Sequence, residues 1–180
     1  MIVGVRTEVD SVLSVVAPLG LAAAAAEPAL MIDLDPEGPH YPGPRSLAEM
    51  VDTGPSRTEM SPSSGRLAVL RNGGVDPLEA VTVVQALAAT WPRVVVRVQG
   101  AVPLMWPVIP VVPLLPGILA PARGRAAVWQ ATTLSDEPPG PGPVLPALTR
   151  SNLDRLLRMR THPGGRWVAA WRPVWELPWG

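Results

Sequence analysis

The sequence predicts an α/β domain with three layers, a mainly parallel sheet covered by helices on both faces, followed by a Pro- and Trp-rich C-terminal tail. The chain of 180 residues is long enough for one domain with a full core. Its composition, 47% hydrophobic and 17% charged, is that of a globular protein despite 24 prolines. Short β-branched runs alternate with longer helical patterns, and this alternation indicates βαβ units and a parallel sheet.

Apolar runs identify the strands. Four of them, at residues 2–6, 29–34, 67–70 and 94–98, predict neighbouring parallel strands. The fourth run is almost continuously apolar, as in strands that are buried on both faces. Further strand pieces are predicted at residues 108–112 and 126–131.

Capping signals and helical periodicity identify the helices. Ser46 and Glu49 have the spacing of a capping box. Asp76 and Pro77 resemble the cap and the first position of another helix. The predicted helices span residues 8–26, 46–51, 76–90 and 151–160.

The segment 136–149 is rich in Pro and Gly, which predicts a linker. It divides the chain into an α/β domain at residues 1–135 and a C-terminal part at residues 150–180, which holds a basic helix and the Trp-rich tail.

Residues 29–38 read ALMIDLDPEG and follow a strand and a long helix. With the short helix at 46–51 and the later strand and helix pattern, this arrangement resembles the ParA/MinD-like P-loop ATPases of partition and cell-division positioning. The resemblance covers roughly residues 1–130, and the segment with Asp33 and Asp35 is its most specific part. The resemblance implies that Asp33 and Asp35 correspond to paired Asp residues that, in that family, help to place water or magnesium.

The phosphate-binding loop of that family is missing from this chain. Such a loop needs several glycines, a Lys and a Ser or Thr, whereas residues 4–11 read GVRTEVDS and the chain contains no Lys. Glu8 and Asp10 would repel a phosphate. Arg97 stands where the family usually has an Asp at a strand end. The resemblance is thus to a degenerate member, a pseudo-ATPase that binds neither ATP nor GTP, and we predict no catalytic residue and no cofactor.

Asp33 and Asp35 also have the residue type of metal ligands. With Glu37 they match the first half of a calcium loop, but Pro44 stands where a bidentate Glu is needed. His40 adds one further ligand, so an enzyme with a metal site here is the alternative to the solvated loop that we favour. Since the sequence identifies no cation for the two carboxylates, we expect replacement of both by Ala to leave the fold intact.

Charge is distributed unevenly along a chain whose formal net charge is zero. Residues 1–60 carry three Arg and nine acidic residues, and residues 121–180 carry eight Arg and four acidic residues. Overall neutrality argues against general nucleic-acid binding, and the asymmetry suits self-association or a charged partner. Arg155 and Arg158 border an apolar helical stripe. We favour a structural helix there, and docking to an acidic partner or an anionic membrane surface is the alternative.

The tail contains four Trp residues spaced four apart, but Pro173 and Pro178 exclude a single regular helix through them. Because Trp is a frequent interface anchor, we expect the tail to be an attachment element. The alternative, weighted equally, is that the tail covers an apolar face of the domain. The four residues are Trp167, Trp171, Trp175 and Trp179.

Neither apolar stretch favours a membrane span, because residues 12–26 are too few and six prolines interrupt residues 101–122. Charges at Glu8 and Asp10 also argue against a secretory signal. We therefore expect a cytoplasmic scaffold or regulatory protein that acts by protein contact, with a homologous ATPase or a second copy as partner. A peripheral membrane protein that uses residues 101–122 or the tail is the alternative.

Overall fold

The computed structural model describes residues 1–7, 12–62, 67–100, 105–117, 125–158 and 165–179. Within these residues, seven strands form one sheet. The strands are β1 (Ile2–Thr7), β2 (Ala29–Asp33), β3 (Leu67–Leu70), β4 (Arg93–Arg97), β5 (Val108–Pro113), β6 (Val128–Gln130) and β7 (Val144–Leu145). The helices are α1 (Val12–Ala23), α2 (Leu47–Thr53), α3 (Val81–Thr90), α4 (Arg150–Leu157), α5 (Arg166–Ala169) and the 3₁₀ helix Arg172–Glu176.

The strand order is β3-β2-β4-β1-β5-β6-β7, and every described pairing is parallel. The four strands predicted to be neighbours occupy consecutive positions in this order. The prediction of a parallel α/β sheet is therefore confirmed. The topology also brings β2 and β4 side by side, although a whole strand and two helices separate them in the chain.

Side chains on successive strand residues point to opposite faces of the sheet and build two cores. Val5 and Val95 pack with α1, α4 and α5 on one face. Ile32 and Val96 pack with α2 and α3 on the other face. The predicted three-layer architecture is thus confirmed, and it places the two groups of helices on opposite sides of the molecule.

The helix starts agree with the sequence at one place and differ at another. Ser46 caps α2, and its side chain and that of Glu49 form the predicted reciprocal capping box. The sequence pattern predicts that α3 begins at Asp76, but the helix begins at Val81. The reason is local, because the Asp76 carboxylate accepts a hydrogen bond from the backbone N–H of Leu78 and holds a turn ahead of the helix.

The sheet extends into the segment that the sequence predicts to be a linker. Strand β7 pairs with β6, and the N–H of Ala131 donates to the carbonyl of Leu145. Leu145 is fully buried. The carbonyl of Pro143 still accepts a ladder bond from Trp129, although Pro has no N–H to donate. Proline at both ends of β7 therefore leaves a strand of two residues that sequence patterns do not reveal.

No helix within the described ranges is long and apolar enough to cross a membrane. The segment 101–122, considered above as a membrane contact, contains β5, which lies between β1 and β6 in the sheet. The flanking residues 101–104 and 118–122 lie outside the described residues. Val108–Pro113 of this segment is thus a core strand, whereas Met105 and Leu115 beside it are exposed.

Candidate functional site

The polar residues of the sequence resemblance meet at the carboxyl ends of two central strands. Asp33 ends β2 and Arg97 ends β4, and the two residues are direct partners in the register. Open parallel α/β sheets bind their ligands at this edge. Glu8 and Asp10, where the family would place its phosphate loop, lie outside the described residues.

Arg97 forms an ion pair with both carboxylates. One guanidinium nitrogen, Nη2, lies 2.5 Å from Oδ2 of Asp35, and Nη1 lies 3.4 Å from Oδ2 of Asp33. Nη1 also donates to the carbonyl of Pro39 at 2.8 Å. The side chains of Arg97 and Asp33 are 1% and 0% exposed, so the pair is held away from water. We call Asp33, Asp35 and Arg97 the acid–arginine cluster.

This contact corrects the expectation that Asp33 and Asp35 hold no cation, because a cation of the chain itself lies between them. The expectation that both residues can be replaced without loss of stability depends on that premise and loses its support. Removing two partners of a buried guanidinium leaves a charge without compensation in a low-dielectric site. The signal in the sequence is Arg97 itself, a charge at the carboxyl end of a strand whose three central residues are valine.

The loop after β2 is folded around the cluster. Oδ1 of Asp35 accepts hydrogen bonds from the backbone N–H groups of Glu37 and Gly38, and Oδ1 of Asp33 accepts one from Asp35. A Cβ atom on Gly38 would overlap Nη2 of Arg97 and Oδ2 of Asp35. Only glycine therefore fits against the ion pair at this position.

Tyr41 connects the cluster to α1. Its ring lies 5.5 Å from the guanidinium carbon of Arg97, within the range of a cation–π contact. Its hydroxyl donates a 2.7 Å hydrogen bond to the carbonyl of Val15. Burial raises the pKa of the Tyr41 hydroxyl well above its usual range, so it stays protonated and keeps this bond.

The electrostatics of the cluster follow from one cation and two acids. Burial raises the pKa of Asp33 to about 6, and the positive charge of Arg97 opposes this rise without cancelling it. Asp35 holds the shorter contact to the guanidinium, and the two carboxylates repel each other. With Asp33 protonated, the cluster is neutral, whereas with Asp33 ionised it carries one uncompensated negative charge.

The alternative of a metal site at Asp33 and Asp35 gains nothing from this geometry. Both carboxylates face Arg97, while Glu37 and His40 are exposed on the loop. Among the described residues, no group of three or more His, Asp or Glu side chains has the proximity to hold a metal ion.

The tail is packed onto the domain through its first two indoles. Trp167 and Trp171 are fully buried, and their rings meet edge to face at 5.6 Å. The indole nitrogen of Trp167 donates a 2.8 Å hydrogen bond to Oε1 of Gln130 at the end of β6. A Cβ atom on Gly20 of α1 would overlap the Trp167 ring, so glycine permits this close approach. These two indoles cover the core and cannot anchor a partner as placed.

The last two indoles lie at the margin of the same core. Trp175 and Trp179 are partly buried, and their N–H groups donate to the carbonyls of Leu21 and Val174. Because both polar atoms are already bonded within the chain, the described tail has the geometry of the cover that we gave as the alternative. The break between α5 and the 3₁₀ helix agrees with the predicted effect of Pro173.

Helix α4 presents arginines to solvent, as its periodicity predicts. Leu156 packs into the core and the guanidinium of Arg158 pairs with Asp154 at 2.7 Å on the outside. Arg155 is exposed and has no ion pair within the described residues. The proposed docking residues Arg155 and Arg158 are therefore accessible, in contrast to Trp167 and Trp171.

Comparison of the chain with protein-family models, curated proteins and solved structures gives no match. Function is therefore inferred from the chemistry of the acid–arginine cluster and from the exposed surface.

Proposed function

We propose that this chain is a non-catalytic α/β protein that acts as a scaffold or regulator through protein contact, without nucleotide hydrolysis. The observation that carries the proposal is the position of Arg97. Its guanidinium fills the space between Asp33 and Asp35 at the edge of the sheet where parallel α/β proteins bind ligands.

The charges at this edge of the sheet argue against nucleotide hydrolysis. Phosphoryl transfer needs cations that face the transferred group, and its carboxylates serve by holding magnesium or orienting water. Here the two carboxylates are oriented toward a guanidinium that belongs to the protein. Magnesium at Asp33 and Asp35 would have to displace Arg97, which would leave that charge buried and unpaired. The sequence also offers no Lys for the phosphates.

The proposal includes descent from a ParA/MinD-like fold in which the nucleotide site has been replaced by an internal ion pair. In support, the four strands that carry the resemblance are parallel neighbours, and Asp33 and Asp35 lie at the strand end where the family uses its acids. An α/β domain that has lost its ligand but keeps a stable sheet can still present its helices to a partner. A homologous ATPase or a second copy of this chain is the partner class that we propose.

The test is affinity capture of the full chain from its native host after mild cross-linking, with three parallel samples containing Mg-ATP, Mg-ADP or apyrase. We expect a stoichiometric protein partner in equal amount in all three samples. Asp33→Asn is a matched variant that alters the cluster but no exposed face, and it should recover the same partner. Recovery that depends on ATP, or phosphate release by the purified chain above that of an empty preparation, would contradict the proposal.

A further inference from the structure

The two outer layers of the molecule carry opposite charge. On the side of α4, α5 and the 3₁₀ helix, four exposed arginines have no ion pair within the described residues. Exposed acids in their neighbourhood are Glu176, Asp154, which is paired with Arg158, and Asp136, which lines a cavity together with Arg166. We call these four the arginine face. They are Arg150, Arg155, Arg166 and Arg172.

The opposite side, formed by α2 and α3, is acidic. Asp52 lies in the last turn of α2, and Asp76 and Glu79 precede α3. All three are exposed and have no ion pair in the described part of the chain. One exposed arginine, Arg57, lies in the same layer. We call Asp52, Asp76 and Glu79 the acidic face.

The acidic face also has an apolar residue among its charges, since Leu78 is 58% exposed between Asp76 and Glu79 in the chain. An exposed leucine next to charged residues suits a small interface with an apolar centre and a polar rim. On the other side of the sheet, Leu157 is 46% exposed and lines a cavity with Val12 and Tyr41. The charges of the two faces are opposite in sign, so the faces are complementary.

We propose that copies of this chain associate head to tail, with the arginine face of one copy against the acidic face of the next. The inference builds on the proposed function, since it names a second copy as a partner in protein contact. A surface cannot pair with itself by charge when it carries one sign, so an isologous dimer through either face is disfavoured. The two faces lie on opposite sides of the sheet, so each bound copy leaves a free face, and the assembly grows into a ring or an open filament.

The chemistry of the arginines suits this partner. Guanidinium groups bind carboxylates with two parallel hydrogen bonds, and the acidic face offers three carboxylates that are not otherwise paired within the described residues. Exposed ion pairs contribute little individually, so we expect weak association that needs several pairs at once.

The test uses two charge-reversed full-length variants. One is R155E/R166E, which makes the arginine face negative at two positions, and the other is D76R/E79R, which makes the acidic face positive at two. Arg125→Glu, an exposed arginine outside both faces, is the control. Circular dichroism establishes that each protein is folded, and sedimentation velocity over a range of concentrations gives the mass.

We expect the unaltered chain and the R125E control to form species larger than a dimer as concentration rises in about 0.01 M salt, and to dissociate in about 1 M salt, where the Debye length falls to about 3 Å. Each double variant alone should be monomeric. Their equimolar mixture should associate again, because the intact acidic face of one variant meets the intact arginine face of the other.

A monomeric unaltered chain at all concentrations overturns the inference, as does association that both variants retain. A dimer that does not grow indicates an isologous contact and also overturns it. Binding of the monomer to anionic vesicles, lost in R155E/R166E, would instead assign the arginine face to a membrane surface. Nucleotide-independent capture of a different protein by a monomeric chain would leave the proposed function standing while this inference fails.

Discussion

Replacement of Asp33 by Asn should stabilise the protein relative to the unaltered chain, and this gain should be larger at neutral pH than at acidic pH. The substitution removes the carboxylate charge but keeps an oxygen that can accept the hydrogen bond from the N–H of Asp35. Asp35 and Arg97 then remain as a neutral buried pair. The effect follows mainly from the burial of the Asp33 carboxylate, which the charge of Arg97 offsets only in part.

The magnitude follows from the raised pKa. Burial moves the pKa of Asp33 from 3.8 to about 6, a rise of about two units, and each unit corresponds to about 1.4 kcal/mol. Since the folded-state pKa lies above the unfolded one, the folded state holds the proton more tightly between about pH 4 and about pH 6, and stability falls as the pH rises through that window. Above about pH 6 the ionised carboxylate costs about 3 kcal/mol relative to the protonated form.

The assay is urea denaturation of the unaltered chain and of Asp33→Asn at about pH 4 and at about pH 7.5, with stability obtained by linear extrapolation. The free energy of unfolding of the variant minus that of the unaltered chain should increase by roughly 3 kcal/mol between the two pH values. Asp154→Asn, which removes an exposed ion pair with Arg158, is the control and should change stability by less than about 1 kcal/mol at both. A difference for Asp33→Asn that is independent of pH, or that falls as the pH rises, would refute the reasoning.

Three further substitutions test the packing of the site and of the tail. Arg97→Met should lower the free energy of unfolding by about 3–5 kcal/mol at neutral pH, because it leaves two buried carboxylates unpaired. Replacing both acids by Asn in the same chain should recover most of that loss in urea titrations, and equal stability of the single and triple variants would contradict this. Gly38→Ala should lower the melting temperature, because its Cβ atom would overlap the guanidinium of Arg97. At Gly54 the added atom meets nothing within 4 Å, so Gly54→Ala should cost only the backbone strain of a positive φ. A larger loss at Gly54 than at Gly38 would count against the close packing. Trp167→Ala should cost about 3–5 kcal/mol by opening a cavity under the tail, measured by chemical denaturation, while a loss below about 1 kcal/mol would indicate that the tail is not a cover.

Much of the sheet can be predicted because its signals are local. The apolar runs of β1 to β4 end at polar or Gly/Pro-rich segments, and the capping box of α2 is complete within four residues. The prediction places the start of α3 too early, since Asp76 has two uses that sequence does not separate, a helix cap and a turn. Strand β7 escapes prediction because two residues between prolines carry no periodic pattern.

The acid–arginine cluster can be predicted only in part because it is a long-range contact. Asp33 and Asp35 are 64 and 62 residues from Arg97 in the chain, and only the order of β2 and β4 brings them together. The sequence shows a charged residue, Arg97, after a run of three valines, but not that its guanidinium reaches both carboxylates.

The tail illustrates the same limit for apolar residues. A spacing of four identifies a stripe of indoles but not whether the stripe faces its own core or a partner. The deciding residue, Gly20, lies in α1, far from the tail in the chain, and its missing side chain makes the space that Trp167 fills.

Titration of the purified chain with a fluorescent ATP analogue in the presence of magnesium tests the central claim most directly, because the claim is that this chain binds no nucleotide and acts through protein contact. We predict no saturable binding up to millimolar nucleotide, both in the unaltered chain and in the folded triple variant D33N/D35N/R97M, which lacks the ion pair. Saturable, magnesium-dependent binding with a Kd in the micromolar range, about −8 kcal/mol, would contradict the account.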